Sequence, residues 1–150
     1  MRFMLIVRAT AVSEAELQPD PDQALMAEMV KFHEEMAQAG VLLDGSGLQP
    51  SRKGWRVRYT AGKPSSIVDG PFAEVKELIA GYTIIQVDSR EAALEWSRRF
   101  PSPFGMDPCE VEVRQLYEME DFTPGEPLQR LRAITSSDKG GDNDSFSNPN

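Results

Sequence analysis

The chain has 150 residues, 40% hydrophobic and 27% charged, which suits one globular domain with a tail. Sixteen Lys and Arg against 24 Asp and Glu leave a formal net charge of −8, so the chain repels phosphate backbones and direct nucleic-acid binding is set aside. Cys109 is the only cysteine and no apolar run is long enough to span a bilayer, so a disulfide scaffold and a membrane span are both excluded.

Arg2 to Ala9 reads as a buried strand, with Phe3, Leu5 and Val7 on one face and Met4, Ile6 and Arg8 on the other. Its apolar run is too short for a signal-peptide core, and the expected compartment is the cytoplasm. Thr10 to Pro19 reads as a polar connection. Asp20-Pro21-Asp22-Gln23 then starts a helix, with Asp20 as cap and Pro21 at the first helical position. That helix runs to Ala39, with Gly40 ending it in a left-handed conformation. Leu25, Met29, Phe32 and Met36 form its apolar stripe, flanked by Met26 and His33.

Val41-Leu42-Leu43 begins a second strand, and the glycines of Asp44-Gly45-Ser46-Gly47 predict a bulge or bend. Trp55 to Thr60 alternates, turns at Ala61 to Pro64, and pairs with Ser65 to Val68 as an inserted hairpin. The corner Asp69-Gly70-Pro71-Phe72 follows. Asp69 can bond its own backbone, Pro71 ends strand pairing, and Phe72 gains about 2 kcal/mol if it plugs into a core. Ala73 to Ile79 has room for one helical turn. Gly81 to Val87 is the best strand of the chain, with Tyr82 and Ile84 on one face and Thr83 and Ile85 on the other. Asp88-Ser89-Arg90-Glu91 reads as a capping box for a helix to about Phe100, whose stripe is Ala92, Ala93, Trp96 and Phe100. Cys109 to Tyr117 is the last strand. A short helix through Leu128 and Leu131 follows, and residues 136–150 have almost nothing to bury, predicting disorder or pinning by a neighbouring chain.

The order β-α-β-(hairpin)-β-α-β predicts an α+β chain. It suits a ferredoxin-like βαββαβ antiparallel sheet with two helices on one face. The other face then carries Met4, Ile6, Tyr82 and Ile84, too apolar to stay wet, which predicts a homodimer.

Asp69-Gly70-Pro71-Phe72-Ala73-Glu74-Val75-Lys76-Glu77 followed by Gly81-Tyr82 resembles the YCII-related, or DGPF-domain, family. Gly45-Ser46-Gly47-Leu48-Gln49-Pro50, Ala93-Leu94-Glu95-Trp96 and Glu110-Val111-Glu112-Val113-Arg114 add to the likeness. The resemblance covers about residues 1–122 and leaves residues 123–150 as a tail. It implies a bacterial protein with the dimeric α/β-barrel form of the ferredoxin-like fold. The family's activity is largely unassigned. Some members are encoded beside or fused to extracytoplasmic-function sigma factors, which implies a regulatory link as one alternative. A His–Asp acid–base pair is proposed for relatives in the wider superfamily, and the only histidine here is His33.

Asp69 and His33 are the catalytic candidates. Asp69 reads either as a general base beside Phe72 or as an Asx-turn residue. His33 reads either as an acid or base lining a cavity, or as a core histidine bonded to a neighbour. Arg8, Glu112 and Arg114 are ligand-binding candidates in a shared dimer interior, or members of a cross-strand salt bridge. Asp44, Phe72, Lys76 and Tyr82 complete the ligand-binding set. One His and one Cys cannot form a zinc set, and the chemistry expected is cofactor-independent. Three readings stay open: a small-molecule acid–base enzyme, a non-catalytic binding or regulatory module, and a purely structural dimer.

Overall fold

The computed structural model describes residues 1–15 and 23–137. These fall into two units, one of Met1–Leu116 and one that begins at Tyr117.

The first unit is α+β. Strand β1 (Arg2–Arg8) leads to helices α1 (Ala11–Ala15) and α2 (Gln23–Gln38), then strand β2 (Leu42–Gly47). Strands β3 (Trp55–Thr60) and β4 (Lys63–Asp69) form the hairpin; β5 (Ile79–Gln86), α3 (Arg90–Arg98) and β6 (Val111–Gln115) complete the unit. Four strands form one antiparallel sheet in the order β2-β5-β1-β6, and β3 and β4 form a separate two-stranded sheet. Because β5 lies between β1 and β2, and β1 between β5 and β6, the order is compatible with a ferredoxin-like arrangement.

Alternation along β1 decides the layering. Phe3, Leu5 and Val7 are buried, and Phe3 and Leu5 pack with Ile85 and Val87 under Phe32 and Met36 of α2 and Ala93 of α3. Both helices therefore cover the same face. Leu5, Met36 and Ile85 are fully buried, each stabilising by about 1.5–3 kcal/mol. Trp96 and Phe100 close the layer edge-on against Phe32, with ring centroids 5.8 and 5.6 Å away.

Several local readings change in three dimensions. The segment after β1 holds α1, because Ser13 N–H donates to Thr10 Oγ1 and Thr10 N–H to Ser13 Oγ. Strand β2 extends through the glycines to Gly47, and its irregularity falls earlier, between Leu42 and Asp44. Gly40 does adopt φ +71° at the end of α2. At α3 the cap is Ser89 rather than Asp88: its hydroxyl accepts from the Ala92 N–H. After the corner there is one 3-10 turn, Val75–Glu77. Phe72 stays out of the core; it is half-buried, with the Arg56 guanidinium 4.0 Å over its ring.

In the second unit, Tyr117 and Phe122 rings lie 5.4 Å apart across a 3-10 turn, Met119–Asp121, and α4 (Glu126–Ser137) follows. Arg132 pairs with Glu120 at 3.6 Å. The predicted cap at Asp20 and Pro21 and most of the predicted polar tail lie outside the described residues.

Candidate functional site

The helix-facing side of the sheet is built in rows. Leu42, Ile85 and Phe3 fill one row with large side chains; Gly45, Thr83, Leu5 and Val113 form the next; Gly47, Gly81, Val7 and Val111 the third. Toward β2, the second and third rows lose their side chains to glycine. The sheet surface there is hollow, and a cleft of about 450 Å³ opens under Met29 and His33 of α2. Its walls are mainly apolar, with Val7, Leu48, Phe100 and Phe104, and carry the polar residues Ser13, His33 and Thr83. The size and the mix suit a small-molecule site.

His33 is half-buried in this wall, and both ring nitrogens have partners. One turn back along α2, the Met29 carbonyl lies 2.8 Å from Nδ1. A carbonyl only accepts, so Nδ1 carries the proton. Nε2 is 2.9 Å from Thr83 Oγ1. On the neutral ring Nε2 is then the acceptor, and the Thr83 hydroxyl donates to it. Thr83 is 2% exposed, the one buried polar residue among the described residues. The Nε2 lone pair is thus engaged by the Thr83 hydroxyl, and the pair meets the cleft through Thr83 Oγ1.

The other candidates lie in two separate places. On the sheet face turned from the helices, Asp44 Oδ2 accepts from the Tyr82 hydroxyl at 3.0 Å, and Asp44 Oδ1 from the Gly45 N–H at 2.8 Å. The hydrogen bond to Asp44, then that carboxylate's charge, then burial raise the Tyr82 phenol above its ordinary value. On the same face Glu112 links Arg8, at 3.3 Å, to Arg114, at 3.8 Å. Arg8 also donates to the Lys76 carbonyl at 2.6 Å, while the Lys76 side chain is exposed.

The Asp-Gly-Pro-Phe corner is the second place. Asp69 is exposed at the end of β4, opposite Trp55, and does not line the cleft. Asp69 thus lies apart from this cleft, which α2, β2 and β5 build, while the corner belongs to the hairpin. The corner is fixed instead to the 3-10 turn Ser51–Lys53. Ser51 Oγ donates to Glu14 at 2.5 Å and accepts from the Phe72 N–H at 3.1 Å. Gly70 N–H donates to the Gly54 carbonyl at 2.9 Å, and the Gly70–Pro71 peptide is cis.

Thr83, Gly45 and Gly81 are absent from the catalytic and ligand-binding candidates that the sequence offered. A signal was present: Thr83 is a polar residue between Gly81 and Ile85 on the inward face of the central strand. Its partner, 50 positions earlier on a helix, was not readable from spacing. Among the described residues, no group of three His, Cys, Asp or Glu side chains could hold a metal ion, and no helix is long and apolar enough to cross a membrane.

An uncharacterized protein of Rhizobium meliloti (strain 1021) is 30% identical over 79 residues, 53% of this chain and 63% of that protein. The match thus spans less than two thirds of that relative's length. A model of the YCII-related domain matches residues 1–123. With a match over most of its length, the chain belongs to the YCII-related family.

Proposed function

We propose that this YCII-related chain is a cofactor-independent enzyme that moves a proton on a small molecule, with His33 as the acid–base group. One observation carries the reading: His33 Nε2 lies 2.9 Å from Thr83 Oγ1 in the wall of a cleft of about 450 Å³. A group that abstracts a proton must be poised by a second bond and lie within hydrogen-bond reach of the reacting atom. The Met29 carbonyl supplies the first condition; the second is met through Thr83 Oγ1, which takes the ligand's proton as its own passes to Nε2. The role first considered for Asp69 passes to His33, because Asp69 does not line the cleft.

The chain acts as a cytoplasmic homodimer of the dimeric α/β-barrel type. Supporting this is the face opposite the helices, where Met4 stands across from Ile84 and Ile6 across from Tyr82. Those side chains are half-buried by one chain alone and gain burial against a second sheet. A second reading, favoured by the apolar majority of the cleft wall, is a sensor that binds without turnover and signals to a partner such as an extracytoplasmic-function sigma factor.

Solvent deuterium uptake separates the two. A panel of neutral phenols and enolised 1,3-diketones is incubated in heavy water with the wild-type protein and with His33→Gln, and exchange at acidic carbons is followed by NMR. General acid–base catalysis predicts that the variant slows exchange by about a hundredfold or more. Equal rates in both proteins for every compound would sink the catalytic reading.

A further inference from the structure

We infer that the cleft takes an uncharged, largely apolar molecule whose hydroxyl group, phenolic or enolic, donates a hydrogen bond to Thr83 Oγ1. This rests on the reading of the cleft as the functional site, and it names the ligand class. Among the described residues, no Lys, Arg, Asp or Glu lines the cleft, and burying an ion beside Met29, Phe100 and Phe104 without a counter-charge is strongly unfavourable.

Met29 holds the proton on Nδ1, and the Thr83 hydroxyl proton is committed to Nε2. What the pair still offers a ligand is an acceptor, the remaining lone pair of Oγ1. An acceptor in a dry wall selects a ligand that donates, and leaves a carbonyl or an ether without a partner there.

Gly45 is the strand neighbour of Thr83. A Cβ built on Gly45 would sit 3.4 Å from His33 Nε2 and 3.5 Å from Thr83 Oγ1. A side chain at position 45 would therefore cover the pair, and glycine leaves the space in front of both members open. With a ligand oxygen there, proton transfer balances without another reactant. The ligand O–H proton passes to Oγ1 as the Oγ1 proton passes to Nε2, leaving a ligand oxyanion, a neutral threonine and an imidazolium. Thr83 is the group that touches the ligand, and Gly45 keeps the place open.

The test uses the whole chain and three molecules of one shape: 2-naphthol, 2-methoxynaphthalene and 2-naphthoate. Binding is read on the imidazole NMR signals of His33, the only histidine, and on naphthol fluorescence. The expected result is a saturable response to 2-naphthol, with both analogues bound at least about tenfold more weakly. Gly45→Ala, accommodated at ordinary contact distance, should weaken naphthol binding by at least about tenfold while leaving the amide spectrum folded. Thr83→Val should do the same and Thr83→Ser should restore it. The inference is overturned by no saturable response, by an analogue binding as tightly as naphthol, or by unaltered affinity in both Gly45→Ala and Thr83→Val. Binding is measured without turnover, so its failure leaves the role of His33 in proton exchange to stand or fall on its own test.

Discussion

Gly70 lies against the backbone of Ser51: a Cβ at position 70 would stand 1.9 Å from the Ser51 carbonyl oxygen and 2.6 Å from its carbon. The Asp-Gly-Pro-Phe corner is thus a close backbone-to-backbone contact joining the hairpin to the turn before β3. Glycine is required by the approach distance.

Gly70→Ala must therefore push two backbone segments apart. We expect a loss of about 3 kcal/mol in urea unfolding, the upper part of the usual overpacking range. Gly47→Ala, where nothing lies within 4 Å of the added carbon, should change stability by no more than about 0.5 kcal/mol. Similar values for the two variants would contradict the contact.

Ser51 ties three segments together through its hydroxyl, donating to Glu14 and accepting from the Phe72 N–H. Ser51→Ala leaves that N–H and one carboxylate oxygen short of a partner, and should cost about 2 kcal/mol. Glu14→Gln keeps the geometry and loses the charge, so a smaller cost of about 1 kcal/mol is expected. Chemical denaturation of the two variants checks the order; Ser51→Ala behaving like an ordinary surface substitution would refute it.

Tyr82 has a raised phenol pKa on account of Asp44. Folding then favours the neutral phenol. Its contribution to stability is complete below pH about 10, the unfolded value, and is lost as pH rises from there through the folded-state value. Asp44→Asn should bring the Tyr82 titration down towards about 10 and reduce the alkaline loss of stability. Ring NMR signals of Tyr82 followed across alkaline pH test this, and a titration indifferent to the substitution removes the linkage.

The proposed dimer predicts a scattering mass of two subunits for the wild-type chain. Ile84 stands across from Met4 on one side and Asp44 on the other, near the middle of the face to be covered. Ile84→Lys places a charge there, and should yield the mass of one subunit with an unchanged circular dichroism spectrum. A wild-type chain that already scatters as one subunit would end the proposal.

Much of the fold was legible one element at a time. Phe3, Leu5 and Val7 alternate, Met29, Phe32 and Met36 recur at helical spacing, and Gly40 ends its helix. Such patterns need only the local backbone period and the burial each face requires. The short helix at Ala11–Ala15 was not legible, because two polar residues capping each other look like any polar loop.

The site was hardly legible at all. His33 and Thr83 meet only because α2 crosses the strand that pairs Thr83 with Gly45, and the hollow exists only because glycines from two strands fall in adjacent rows. Asp69 stood out in sequence for its corner, yet tertiary structure left it exposed at the hairpin's end. Sequence alone determined which faces are apolar, where the strands and the two helices over the sheet run, and the family. Register and helix crossing decided which polar groups share a cleft, since those contacts join positions dozens of residues apart and no local period encodes them.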